Sequence, residues 1–398
     1  MARKNRMYIV ANMGDYQPCK RADDSECPED GQYQFNTDVA FDPSGLLIAK
    51  YHKINLYFEH MYDTPPLRKR AYFDTPFGKF GLMTCFDILF EDPIIGLLEK
   101  EGIGNVVFPT AWMDSLPLLA AIQFHSAFAA GANVNFLAAN IKYSKRRFHG
   151  SGIYTPKGYA SFFYSEDSEG KLLVSDLDII RCRKISNVPN GRLINKQFKP
   201  FNNIGKEFKA KIFHDSYNMK LLVGKKGNIS VCHNEVCCYL SYEKTVETFD
   251  LFAFGARDGL HPRHGPYYMQ VCILLKCRNA NVSECGVYVK ESSTSFKHVK
   301  ISGTLTTRYI YPEILLNNKT NNLISLASQS SWSYEDGIFE SHGFQHPLIS
   351  ASLLGRVYER DNEGDKPISD ATEVVPSLFY QVFFFMTGQV MSIITHHI

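Results

Sequence analysis

With 398 residues, 44% of them hydrophobic and 21% charged, the chain is long enough for two domains with sizeable cores. Its formal net charge of +2 excludes the strongly basic balance of a nucleic-acid binder and offers nothing to an acidic partner. Three basic clusters, Arg68-Lys69-Arg70, Lys145-Arg146-Arg147 and Arg181-Cys182-Arg183-Lys184, are too short to change that and read as solvated loops.

In chain order, Met1 to Arg6 is not followed by an apolar core of signal-peptide length. Met7 to Met13 reads as a buried strand, so the chain starts almost on a core element. An amino-terminal portion carrying the signal peptide is therefore expected to be missing. Cys19 and Cys27 bracket a polar loop that a disulfide closes easily. Asp38 to Phe41 and Leu46 to Tyr51 flank Asp42-Pro43-Ser44-Gly45 as a hairpin. Lys53 follows at the strand end. An exposed lysine is ordinary there, whereas a buried one has a perturbed pKa and a sharpened field. Residues 60 to 70 read as loop. Ala71 to Phe73 and Gly78 to Thr84 form a second hairpin or bend that runs into Cys85.

A cysteine between a buried strand and a helix start exposes its thiol at the strand end, where the helix N-terminus helps hold the thiolate. That suits a nucleophile; the bland alternative is a small core residue. Pro93 opens a helix to about Lys100. Val106 to Phe108 is a short buried strand, Leu116 to Ala130 a helix closed by Gly131, and Asn135 to Asn140 another strand. Ile153-Tyr154 begins the next. This is an α/β pattern. Cys85, Trp112 and Asn140 each lie at or just past a strand end, where open α/β sheets form their reactive crevice.

The boundaries are set at 1–185 for this α/β unit, 186–205 for a linker, 206–360 for a smaller β-rich domain and 361–398 for a tail. Of ten cysteines, Cys232, Cys237, Cys238, Cys272, Cys277 and Cys285 crowd the β-rich domain. With Cys19 and Cys27 they read as up to four disulfides of open pairing, in an oxidising compartment. Cys85 and Cys182 stand apart. A zinc module built from the six clustered cysteines and His233 fits less well, because Cys237 and Cys238 are adjacent. Asn228, Asn281 and Asn318 open Asn-X-Ser/Thr acceptors for glycosylation. In the tail, Asn362 as attachment candidate, a polar spacer Asp365 to Glu373 and the apolar Val374 to Thr395 match the order of a glycosylphosphatidylinositol anchor signal. Pro376, Gln381 and Gln389 weaken the rival reading as a transmembrane helix.

Thr84-Cys85-Phe86-Asp87-Ile88-Leu89-Phe90 and Tyr51-His52-Lys53 together resemble the nitrilase superfamily, specifically its vanin and biotinidase branch. Phe108-Pro109-Thr110-Ala111-Trp112-Met113, Asn135 to Asn140 and Gly150-Ser151-Gly152-Ile153-Tyr154 extend the likeness. Cys237-Cys238 with Leu240-Ser241-Tyr242 resembles the branch's carboxyl-terminal domain. Gln123-Phe124-His125-Ser126-Ala127 and Asn135-Phe136-Leu137 look more like vanins than biotinidase. The resemblance implies an α/β fold, an α-β-β-α sandwich lacking its amino-terminal part, followed by the β-rich domain. It implies hydrolysis of pantetheine to pantothenate and cysteamine, with no cofactor and no metal. It also implies the roles: Cys85 as nucleophile, Lys53 and the backbone N–H of Phe86 at the oxyanion, Trp112 and Asn140 beside the substrate.

The family's general-base glutamate lies upstream of the strand resembling Met7 to Met13, and no such segment precedes Met7. Glu26 and Glu29 are poor replacements; Glu59 is a candidate for supporting Lys53. The chain is thus expected either to be inactive or to use another carboxylate. The remaining expectations are attachment to the outer membrane face through a lipid anchor, or secretion. The alternatives are a non-catalytic surface glycoprotein and a biotinidase-like amidase.

Overall fold

The computed structural model describes residues 1–167, 170–180, 205–246, 248–261, 265–364 and 391–394. After a single helical turn, α1 (Ala2–Asn5), strands β1 (Tyr8–Pro18), β2 (Gln32–Phe41) and β3 (Leu47–His52) form an antiparallel meander. The expected buried strand at Met7 to Met13 is buried only at Ile9 and Val10. Beyond them β1 runs out with β2 as a two-stranded ribbon, ending at the Cys19–Cys27 disulfide.

The second sheet has the order β4-β5-β6-β7-β8-β9, built from Ala71–Thr75, Gly78–Leu82, Asn105–Thr110, Asn135–Asn140, Ser151–Thr155 and Gly158–Phe163. Its middle strands β5, β6 and β7 are parallel, which places the ends carrying Cys85, Trp112 and Asn140 on one edge. Val10, Ala40, Tyr51, Phe73, Phe80 and Leu82 pack between the two sheets. The outer face of the second sheet is covered by α2 (Ala121–Ala132). Among the described residues α1 and α2 are the only α-helices.

The helix expected from Leu116 starts late. Ala120 is extended, and Asp114 Oδ1 accepts the Ala121 N–H at 2.8 Å, satisfying a donor that a helix start leaves open. Nor does Gly131 end the helix: Asn133, at φ 55°, does. A Cβ on Gly131 would sit 2.2 Å from the Ile310 carbonyl oxygen, so this glycine serves close packing on the next domain. The helix expected from Pro93 to Lys100 is reduced to one π-type turn at Gly96–Lys100.

From residue 205 the described chain forms strands β10 to β21, in order Glu207–Ile212, Asp215–Leu221, Lys226–His233, Val236–Lys244, Phe252–His261, Tyr267–Lys276, Phe296–Gly303, Ile310–Asn318, Leu323–Ser325, Trp332–Glu335, Ile338–Ser341 and Leu348–Arg356. They assemble into one sheet ordered β10-β11-β14-β15-β21-β17-β18 and another ordered β12-β13-β16-β20-β19. Helix α2 lies between the seven-stranded sheet and the six-stranded one. Phe124 and Phe128 meet Tyr311 of β17 at 5.9 and 5.4 Å. Covered on both sides, α2 has almost no polar stripe, as a helix buried all round should. One continuous core, from Phe108 and Phe128 to Tyr217, Val271 and Leu354, joins the two domains. Met391–Ile394 pairs antiparallel with Tyr8–Ala11 as β22.

All eight expected cysteines form disulfides: Cys19–Cys27, Cys232–Cys237, Cys238–Cys272 and Cys277–Cys285. Cys182 lies outside the described residues, as do the linker at 186–204 and most of the tail beyond Gly364. Cys238–Cys272 staples β13 to β15, hence one sheet of the sandwich to the other, across a separation of 34 residues. Changing both cysteines to alanine is expected to lower stability by roughly 2–5 kcal/mol. A urea midpoint equal to the parent's would contradict this.

Candidate active site

Strand β5 ends at Leu82, Thr84 is still extended, and Cys85 turns sharply at φ 50°. A non-glycine residue in the left-handed region is unfavourable by about 1–2 kcal/mol, so neighbours must hold it. Asp87 does most of this. Its carboxylate accepts from Tyr51 OH at 2.7 Å, from the Asn55 backbone and side-chain N–H groups at 2.9 Å, and from Thr84 N at 3.1 Å. Thr84 Oγ1 donates to Asp38 Oδ2 at 2.6 Å. Burial pushes the Asp87 carboxyl up, against the lowering by Lys53, Tyr51 and Asn55. Burial also pushes Asp38 up to about 7, over the opposing hydrogen bonds from Thr84 and Asn12.

The residues after Thr84 form only the 3-10 turn Cys85–Leu89. The expected support of the thiolate by a helix N-terminus is therefore not there, since one short turn aligns too few peptide dipoles. Its place is taken by a charge. Lys53, one residue past β3, is buried, and its Nζ lies 2.5 Å from Glu59 Oε2. Burial alone would push the Lys53 ammonium down, but Glu59, Cys85 and Asp87 together hold it well above its ordinary value. Glu59 also accepts from Asn36 Nδ2 at 2.7 Å and from Tyr57 N at 3.2 Å. The supporting carboxylate thus touches Lys53 directly. Burial pushes the Cys85 thiol up, with Lys53 pulling it down and Glu59 pushing it up.

Cys85, Lys53 and Glu59 face one cavity of about 490 Å³. Phe86 joins its wall and packs on Tyr57 at 4.8 Å and Phe90 at 4.9 Å. Trp112 lines the cavity; Asn140 instead braces it, accepting the Trp112 N–H at 2.8 Å and donating to Trp112 O at 3.0 Å. The far wall comes from the β-rich domain through Phe213, His214, His261, Tyr267 and Tyr288. No periodicity or spacing in the sequence pointed to these, nor to Tyr57.

Behind Trp112, His125 of α2 meets Phe108 and Trp112 edge-on at 5.1 and 5.4 Å. Neither ring nitrogen has a hydrogen-bond partner among the described residues, and burial pushes its pKa down to about 3. The unfolded chain then binds a proton below about pH 6.5 that the folded chain refuses, so stability falls as pH drops from there. His125→Phe is expected to gain on the parent by about 2 kcal/mol between pH 7 and 5. Urea titrations at the two pH values measure this; a constant difference would contradict it.

Two family descriptions match the chain: Carbon-nitrogen hydrolase over residues 1–186 and Vanin C-terminal domain over residues 206–361. Dog (Canis lupus familiaris) pantetheinase is 43% identical over 386 residues, covering 96% of this chain and 73% of its own. The chain belongs to the vanin family of carbon–nitrogen hydrolases. Human (Homo sapiens) pantetheinase is 42% identical, with 91% and 70% covered. Cattle (Bos taurus) biotinidase is 38% identical, with 91% and 73% covered. As a vanin-type chain it is an amidohydrolase by family, with the nitrilase-like sandwich and β-rich domain already described.

Of the glycosylation candidates in this vanin, Asn228 and Asn281 are exposed and Asn318 is half-buried at the end of β17. Asn362 is exposed in the 3-10 turn Tyr358–Gly364. Residues 365–390 and 395–398 of the candidate anchor signal lie outside the described residues. Among the described residues no helix is long and apolar enough to cross a membrane.

Proposed function

We propose that this chain hydrolyses the linear amide of pantetheine to pantothenate and cysteamine. The observation that carries the reading is the meeting of the Cys85 thiol with the buried Lys53–Glu59 pair on one cavity wall. On this reading Cys85 Sγ attacks the amide carbonyl carbon, and a thioester forms as the C–N bond breaks. The Lys53 ammonium and the Phe86 backbone N–H hold the oxyanion. Glu59 is the one carboxylate among the described residues lining the cavity. It takes the thiol proton, delivers it to the departing amine, and then draws a proton from the water that splits the thioester. No cofactor or metal is needed. The apolar lining, with Leu116, Leu119 and Tyr267 among it, suits the gem-dimethyl pantoyl group.

Identity to pantetheinases supports pantetheine as the substrate; the 38% identity to cattle biotinidase favours biocytin as the second reading. We further read Asn228, Asn281 and Asn318 as glycan carriers, and Asn362 as a lipid attachment point at the outer membrane face. The test is cysteamine release from pantetheine, against biotin release from biocytin, by the chain expressed behind a secretory signal. Preferential release of cysteamine is expected. Preferential release of biotin would transfer the reading to the biotinidase side, and no release from a folded chain would leave a non-catalytic glycoprotein.

A further inference from the structure

Arg356, the last residue of β21, heads the large side chains that are fully buried in the described structure. It belongs to the β-rich domain, yet its Nε donates across the domain boundary to the Leu89 carbonyl oxygen at 2.8 Å. Leu89 closes the very turn that Cys85 opens, and it also lines the cavity. The other donors are spent locally. Nη1 bonds the Tyr268 carbonyl oxygen, and Nη2 meets Asp361 Oδ2 at 2.7 Å. Asp361 is itself pinned, because its Oδ1 accepts the Tyr268 N–H at 2.7 Å.

The guanidinium lies 4.5 Å from the Tyr358 ring and 5.5 Å from the Tyr267 ring. Tyr267 is a cavity wall residue that meets Phe86 edge-on at 6.5 Å. A single buried cation therefore touches both the nucleophile turn and the ring that faces it. Two other ion pairs cross the boundary among the described residues, Arg308 with Glu99 and Lys290 with Glu166; both are partly exposed, and neither bonds the Cys85–Leu89 turn.

A buried ion pair contributes little net stability against an apolar side chain of similar volume. What an arginine supplies instead is a rigid planar fork whose several donors fix several acceptors at once. Here the acceptors are the end of the Cys85–Leu89 turn, the backbone of β15 next to Tyr267, and the carboxylate of Asp361. A turn of five residues has few internal bonds, and its first residue is in an unfavourable backbone conformation. Its angle must be set from outside. Asp87 and Thr84 hold the Cys85 end, and Arg356 holds the Leu89 end.

We propose that Arg356, held by Asp361, is a positioning residue through which the β-rich domain sets the orientation of the Cys85 turn against the cavity. The inference rests on the reading of Cys85 as nucleophile. It gives the β-rich domain a part in the reaction beyond walling the cavity.

The test uses Arg356→Lys, which keeps the charge but not the fork, and Asp361→Asn, which leaves the arginine in place but loosens its hold. Two quantities are measured in the full chain, well below its unfolding temperature: kcat and KM on pantetheine, and the rate of Cys85 alkylation by iodoacetamide as a function of pH. Arg356→Lys is expected to lower kcat about ten- to a hundredfold, with KM within about twofold and a shifted alkylation profile. Asp361→Asn is expected to show a smaller loss in the same direction. If Arg356→Lys does not fold, Asp361→Asn alone decides. Unchanged kcat and alkylation in the folded variants would overturn the inference, even with the parent active and its Cys85→Ala control inactive. If the parent hydrolyses nothing, the alkylation profile still decides, since it needs no substrate. A lowered unfolding temperature with both quantities unchanged would make Arg356 merely structural.

Discussion

Cys85→Ala is expected to reduce cysteamine release to the uncatalysed background. Removing the nucleophile of a hydrolase that works through an acyl-enzyme lowers turnover on the order of 10⁶-fold. The cavity offers no ready substitute, for the hydroxyls of Thr84, Thr110 and Ser115 on its wall are poor nucleophiles at their ordinary pKa. The fold should survive, because Cys85 is half-buried and its Sγ donates a weak bond to Ala111 O at 3.7 Å. A rapid acid quench of the parent on pantetheine should trap a pantothenoyl thioester on the peptide containing Cys85; the variant should carry none. Residual release in the variant that scaled with protein would remove Cys85 from the reaction. The pH dependence has a definite direction. Burial pushes the Cys85 thiol up, so alkylation of the free chain should still be rising at pH 9, where an ordinary thiol has largely ionised.

Cys85 and Lys53 were legible because each ends an apolar run, and a strand pattern says where its last side chain emerges. The three parallel strands were legible for the same reason, and their register put Cys85 and Trp112 on one edge. Glu59 was harder. Five residues of loop separate it from Lys53, and nothing in loop composition says that the chain folds back to form a direct ion pair. The start of α2 was missed because a side chain outside the helix, Asp114, takes over the first free N–H. Disulfide pairing was out of reach because six clustered cysteines allow fifteen connectivities, and it is the facing of β13 and β15 that selects Cys238–Cys272. The far wall was invisible for a related reason. Tyr267 and Arg356 reach the Cys85–Leu89 turn only through the packing of one domain on another, which no local period encodes.

Lys53→Met is expected to lower turnover by roughly 10²–10³, the scale for losing one oxyanion-stabilising group. It should also destabilise the chain by about 3–5 kcal/mol, because Glu59 is left buried without its counter-ion. These two effects are separable. In the double variant Lys53→Met/Glu59→Gln the stranded charge is gone, and the glutamine's single amide oxygen accepts from one of the two donors, Asn36 Nδ2 or Tyr57 N, that the carboxylate's two oxygens hold. Stability should recover most of the loss, and turnover should not recover at all. Glu59→Gln alone leaves Lys53 as the buried unpaired charge, so it too should destabilise. It should also lower turnover by about 10²–10⁴ if Glu59 handles the proton. Urea midpoints and pantetheine kinetics on the four proteins complete a double-mutant cycle. If the double variant regained turnover together with stability, Lys53 would be a structural partner of Glu59 and nothing more. If Glu59→Gln lost stability but kept its turnover, the proton would have to travel through a group other than Glu59.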